Sequence, residues 1–271
     1  MRGTRVLGVS LSAAVAAALV LLASSAASGS IGERIERREA STTPAPLETV
    51  GSHFTDSASV APARSVPQRF EPYVLVHVPR PLTARARPSG DARAVGTVVT
   101  SSKYYHVPLV VWVEQVSRNG RWGLVELPYV WPRREGWIVL PGLRRGSTTV
   151  EVRVDLSRHR ITVYRRSEPL FGFRAAIGAS VSPTPPGDYV VTDRVPFSRG
   201  GSLGSFAFGI SGIQPNLPPG WSGGNQLAIH GTNDPASIGR SVSAGCVRVS
   251  EAALARLKPL LKLGTPVTIS R

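Results

Sequence analysis

Proline and glycine leave this chain little room for long helices. The 271 residues include 23 Pro and 27 Gly. A proline inside a helix removes a hydrogen bond, and a glycine raises the entropy lost on ordering. The chain therefore reads as many short segments joined by turns, and 42 % hydrophobic residues suffice to pack them into cores. Between the turns, apolar and charged residues alternate. Val150-Glu151-Val152-Arg153-Val154-Asp155-Leu156 is one example, with the period of two of a half-buried strand. The expected fold class is mainly β.

Two β-rich stretches stand out. Residues 71–145 hold runs at 73–78, 94–99, 109–116, 122–127 and 136–140, with turns at Pro88-Ser89-Gly90-Asp91 and Arg118-Asn119-Gly120-Arg121. Short strands at this spacing predict a small barrel, and their order resembles a bacterial SH3-type module. Residues 148–271 hold strand-like runs at 150–156, 161–164, 171–178, 187–192, 226–230 and 265–269. One helix is predicted over 251–258, with Ser250 as its N-cap and Glu251 at its positive end. Residues 200–224 read as a Gly- and Pro-rich loop. Its Phe206 and Phe208 are expected to pack inward, and its Trp221 to cover a cleft as a lid.

Residues 1–28 have the pattern of a signal peptide. Positive charge at Arg2 and Arg5 precedes an apolar stretch over 6–23 and then small residues. The other reading of this segment is an uncleaved membrane anchor. Residues 29–70 are rich in Ala, Ser, Thr, Pro and Arg, which predicts a disordered linker. With 32 basic residues against 17 acidic, the net charge is +15. Such a charge favours polyanions. Export removes nucleic acid from that list and leaves an anionic cell wall, with membrane contact only through an uncleaved N-terminal segment.

Cys246 is the only cysteine. In an exported chain it is an inert buried residue, an intermolecular bridge, or a reactive thiol. Ser243-Ala244-Gly245-Cys246-Val247-Arg248 surrounds it, and His230 of Ile229-His230-Gly231-Thr232 lies 246 − 230 = 16 residues upstream. A thiol needs a base near neutral pH, and imidazole suits that task. These neighbours favour the reactive thiol. Gly231 and Gly245 would let backbone approach a substrate. The N–H groups of Gly245 and Cys246 would form an oxyanion hole, and Ser243 would donate a further hydrogen bond. Arg248 would hold a substrate carboxylate or lower the thiol pKa. No carboxylate beyond Asp234 is evident to orient the histidine, which leaves a backbone carbonyl, that of Gly231 or Ala244. His53, His77 and His106 lack companions at metal-ligand spacing, so no metal site is expected.

From about residue 149 onward the chain resembles the L,D-transpeptidases with a YkuD-type catalytic domain. The resemblance rests on His230-Gly231-Thr232, on Ser243-Ala244-Gly245-Cys246-Val247-Arg248, and on Pro183-Thr184-Pro185-Pro186-Gly187. It implies a β-sandwich catalytic domain with Cys246 as nucleophile and His230 as general base. The implied reaction acts on peptidoglycan stem peptides through a thioester, forms 3→3 cross-links, and needs no cofactor. It also implies acylation by carbapenems. Many members carry a second histidine where this chain has Ala244. That departure keeps open a catalytically weak wall-binding protein, beside an L,D-carboxypeptidase or a protein-to-peptidoglycan ligase.

Overall fold

The expected alternation appears as strands nearly throughout. The computed structural model describes residues 70–198 and 200–271. The leader expected over 1–28 and, apart from Phe70, the linker expected over 29–70 lie outside the described residues.

The first eight strands are β1 (Tyr73–His77), β2 (Leu82–Arg85), β3 (Ala94–Val98), β4 (Val110–Val113), β5 (Gln115–Val116), β6 (Trp122–Glu126), β7 (Glu135–Val139) and β8 (Arg145–Thr148). They form a three-stranded sheet, β4-β1-β8, and a five-stranded sheet, β3-β2-β7-β6-β5. Val76, Val111, Val125 and Ile138 are among the buried residues of their shared core. The single strand expected over 109–116 is broken at Glu114. β4 pairs with β1 and β5 with β6, so the chain passes from one sheet to the other there. Two strands were not legible in the sequence. β2 buries only Leu82 and Ala84. β8 buries no side chain and is held by its backbone pairing with β1.

The second group comprises β9 (Val150–Asp155), β10 (Arg160–Arg165), β11 (Glu168–Arg174), β12 (Ile177–Gly178), β13 (Gly187–Pro196), β14 (Phe206–Ile213), β15 (Gln226–His230), β16 (Ser241–Ser243), β17 (Val247–Arg248), helix α1 (Glu251–Leu257) and β18 (Pro266–Ser270). Eight of these strands form one mixed sheet in the order β11-β10-β9-β18-β13-β14-β15-β17, and β12 pairs separately with β16. The inward residues of β9 and β10, Val152, Val154, Ile161 and Val163, share a core with Ala253, Leu254 and Leu257 of α1. Full burial of each leucine contributes about 1.5–3 kcal/mol. Ser250 caps α1 as expected, its Oγ accepting from Ala253 N at 3.2 Å.

The loop expected over 200–224 requires correction. Phe206–Ile213 is strand β14, which lies between β13 and β15 in the large sheet. Phe208 is fully buried, as the packing expectation held, and Phe206 is half-buried against the same core. The glycines that suggested a loop permit close packing instead. A Cβ on Gly212 would stand 2.7 Å from the Tyr189 ring. Strand β13 is long enough to serve two partners. Its first half pairs with β18 and its second with β14, and a bulge falls between Val191 and Asp193. The bulge restarts the alternation. Val191 joins the core, whereas Asp193 and Val195 take the opposite face.

The two groups of strands meet at the end of β6. Ser211 Oγ on β14 donates to Glu126 Oε2 at 2.6 Å and accepts from Val190 N at 3.0 Å. Tyr129 N donates to Ser211 O at 2.7 Å, and Arg133 Nε to Asp188 O at 3.3 Å.

Candidate active site

Strands β15 and β17 run parallel, with Ile229 opposite Val247 and His230 opposite Arg248. Leu227, Ile229, Val247 and Val249 all belong to the core. By alternation, Gln226, Ala228 and His230 face the other way. Cys246 precedes β17 by one residue, so the register sets it beside Ala228 on that same outer face, followed by Arg248. His230 is the diagonal neighbour of Cys246, at a backbone separation of roughly 7–8 Å. The two residues expected to react are thus brought to one sheet face. It opens into a cleft of about 540 Å³, lined among others by Cys246, Ala228, Gly209, Trp221, Tyr104 and Tyr105.

His230 is 4 % exposed. Its Nδ1 lies 2.6 Å from Gly231 O. A carbonyl only accepts, so Nδ1 carries the proton and Nε2 keeps its lone pair. Of the two carbonyls proposed to orient the ring, Gly231 is the one used. Burial lowers the imidazole pKa to about 4, the Arg248 charge adds to that effect, and the Gly231 hydrogen bond opposes it. The ring is neutral at pH 7. Cys246 is half-buried. Burial pushes its thiol up, against the pull of a hydrogen bond at Ala228 and of Arg248. The hydrogen bond found for the sulfur runs to Gln226 O, at 3.9 Å. The resting pair is therefore a thiol and a neutral imidazole rather than an ion pair. Arg248 acts on the thiol in the expected direction, but desolvation outweighs it. Its Nε is buried without a partner.

Three expected roles change. Gly245 N–H donates to Ser243 Oγ at 3.1 Å and is therefore not directed at a substrate oxygen. Ser243 Oγ in turn donates to Cys246 O at 2.6 Å, so this hydroxyl ties the turn together. Gly231 approaches protein rather than substrate, because a Cβ there would collide with Glu251 Oε1. Gly245 does need to be glycine. Its φ is +114°, and a Cβ would run into Gln214 Nε2. Trp221 is 48 % exposed at the cleft and donates from Nε1 to Gly224 O at 3.1 Å.

Thr184, which bonds the cysteine turn, and Gln214, which packs against Gly245 and bonds the segment before Thr184, were not singled out as site residues in the sequence. Thr184 Oγ1 donates to Gly245 O at 2.8 Å and accepts from Gly178 N at 2.8 Å. Gln214 Nε2 donates to Pro183 O at 2.9 Å. Thr184 carried a signal, as part of the Thr-Pro motif, but Gln214 carried none. Thr184→Val would leave a buried carbonyl and a buried N–H without partners, at about 1–3 kcal/mol each. The expected result is a drop in melting temperature and slower modification of Cys246 by a thiol reagent or β-lactam. Wild-type values for both would remove this bracing role. Among the described residues, no group of three or more His, Cys, Asp or Glu is arranged to hold a metal ion.

A hydrogen-bonded neutral histidine beside a cleft-facing thiol is an arrangement suited to acyl transfer through sulfur. The family described as the L,D-transpeptidase catalytic domain, YkuD, matches residues 149–269. A Bacillus licheniformis protein named "Putative L,D-transpeptidase YkuD" is 30 % identical over 134 residues, which cover 49 % of this chain and 73 % of that protein. Two solved structures are more distant. The Ldtfm–avibactam carbamoyl enzyme is 18 % identical with a TM-score of 0.36, covering 45 % of this chain and 49 % of that one. The complex of LdtMt1 with imipenem is 18 % identical with a TM-score of 0.39, covering 60 % and 92 %. This chain thus spans about half the length of the avibactam-modified protein. On its likeness to the Bacillus protein, the chain belongs to the YkuD-type L,D-transpeptidase family.

Proposed function

We propose that this chain is an exported peptidoglycan L,D-transpeptidase working through a Cys246 thioester. The observation that carries the reading is the fixed tautomer of His230. With Nδ1–H committed to Gly231 O, the free Nε2 faces the same side of the sheet as the thiol. Nε2 takes the thiol proton as sulfur attacks the carbonyl that follows an L-centre in a stem peptide. The tetrahedral intermediate collapses, and the departing D-residue amine takes that proton. A side-chain amine of a second stem then attacks the thioester, gives its proton to Nε2 and forms a 3→3 link, and the thiol is restored. Because both groups are neutral at rest, activation belongs to the substrate complex, where water is displaced.

The +15 charge supports a cell-wall setting. The imipenem complex of LdtMt1 supports carbapenems as inhibitors. A second reading, a wall-binding protein of low activity, is favoured by two observations. Burial keeps the thiol protonated, and Ala244 stands where many members carry histidine.

The test is intact mass of the purified chain after incubation with a carbapenem, with Cys246→Ala in parallel. A gain of one drug molecule in wild type only is the expected result. A folded wild type that stays unmodified would refute the transpeptidase and leave the wall-binding reading.

A further inference from the structure

Gly231 supplies the carbonyl that orients His230. Glycine is the residue least able to hold a carbonyl in one direction, because both of its dihedrals are soft. The peptide before it is secured at both ends. His230 O accepts from Val249 N at 2.8 Å, and Gly231 N donates to Phe206 O at 3.2 Å. The direction of the Gly231 carbonyl itself then depends on what presses on the Gly231 Cα.

Three groups do so. Glu251 and Leu254 stand one turn apart on the same face of α1. A Cβ on Gly231 would collide with Glu251 Oε1 and would lie 2.8 Å from Leu254 Cδ1. Gly204 closes the other side, since the same Cβ would lie 2.9 Å from its Cα. A Cβ on Gly204 would in turn meet Glu251 Oε1 and stand 2.5 Å from Gly231 Cα. One carboxylate oxygen is thus seated against two glycines, one before β14 and one after β15. Ser205 holds it there. Its N–H donates to Oε1 at 2.9 Å and its hydroxyl donates to Oε2. Both glycines are buried, whereas Glu251 is exposed. An exposed carboxylate gains little from charge alone, so its contribution here is one of place.

We propose that Glu251 is a positioning residue for His230: its carboxylate clasps the segment before β14 against Gly231 and so fixes the carbonyl that holds the imidazole Nδ1–H. This rests on the base role of His230. Without the clasp Gly231 turns and Nδ1–H loses its acceptor. The ring then samples the other tautomer and other orientations, in which Nε2 no longer serves the thiol. Glu251 acts through Gly231 and not on the reacting atoms. An acid at the start of α1, suited to the positive helix end, has on this account a second duty.

The test uses the full chain with nitrogen-15-labelled histidine, and His230→Asn identifies the His230 signals among the five histidines. In wild type the two ring nitrogens are expected to report one neutral tautomer, with the proton on Nδ1. Glu251→Ala is expected to give a mixture of tautomers at pH 7. It should also slow carbapenem acylation of Cys246 by roughly 10- to 10²-fold, the scale of a 1 Å misplacement. Glu251→Gln keeps the shape and an acceptor for the Ser205 N–H, and is expected to restore both readouts. Ser250→Ala is the control. It removes the cap of the same helix, lowers the melting temperature and leaves Gly231 seated, so its spectrum and rate should be those of wild type. A single Nδ1–H tautomer in Glu251→Ala would overturn the proposal. So would the same mixture and slowing in Ser250→Ala, which would mark a general effect of loosening α1. The nitrogen spectrum needs no turnover. An unreactive thiol in wild type would therefore refute the transpeptidase and still leave the positioning role decided.

Discussion

His230→Asn is expected to slow acylation of Cys246 by roughly 10²- to 10⁴-fold, the usual contribution of a positioned general base. Asparagine can keep a donor toward Gly231 O, so the end of β15 stays tied. It offers no imidazole lone pair, and the protonated thiol then has no adjacent base. The same substitution has a signature in stability. The folded pKa of His230, about 4, lies below its usual 6.5. The stability gained by keeping the ring neutral is complete above pH 6.5 and is lost as pH falls through 4. Its ceiling is about 3 kcal/mol, at roughly 1.4 kcal/mol per tenfold change in proton affinity. The asparagine protein lacks this loss, so its stability relative to wild type should rise between pH 6.5 and pH 4. Measured acylation within tenfold of wild type would remove His230 from the base role. A parallel pH profile would show that its ring is not held neutral by burial.

Glu126→Gln is expected to stabilise the protein, and more so as pH rises. Glu126 is 8 % exposed, and burial pushes its carboxyl up to about 8 from the usual 4.5, with the Ser211 hydrogen bond and Arg133 opposing. A raised acid contributes stability that is complete below pH 4.5 and lost as pH rises through 8. The energetic ceiling is roughly 5 kcal/mol, of which relaxation and water entry return a part. We expect a gain of about 2–4 kcal/mol at pH 9 and little change at pH 4.5. Glutamine has nearly the same shape, and its carbonyl oxygen can accept from Ser211 Oγ. Glu114, pushed up to about 7 chiefly by burial, retains some of the slope in the variant. Denaturant melts at several pH values decide the matter. A difference between variant and wild type that does not change with pH would show that Glu126 is ionised in the fold throughout.

Local patterns were readable where a strand or helix states its own burial. Apolar and charged residues alternate along Val150–Asp155, which marks the strand although Glu151 is buried too, and Ser250 announces α1. The reading failed where that signal is absent. Arg145–Thr148 buries nothing, and its strand exists because β1 offers it backbone partners. Phe206–Ile213 is glycine-rich yet lies inside a sheet, because Asp193 and Gln226 fill the space at Gly209 and Tyr189 and Leu227 fill it at Gly212.

The candidate site divides in the same way. Cys246 and His230 were legible in the sequence itself, since they lie in short motifs whose chemistry depends on residue type and near neighbours, whereas the choice of Gly231 over Ala244 as the carbonyl partner of His230 came from the structure. Tertiary structure alone decided that the Gly245 N–H is already bonded, that Thr184 holds the cysteine turn and that Gln214 packs against Gly245. The Thr184–Gly245 hydrogen bond spans 61 residues of chain. The ionisation of His230, Cys246 and Glu126 was equally out of reach of the sequence. A charge is stabilised or expelled by everything packed around it, and that packing is set by strands distant in the chain.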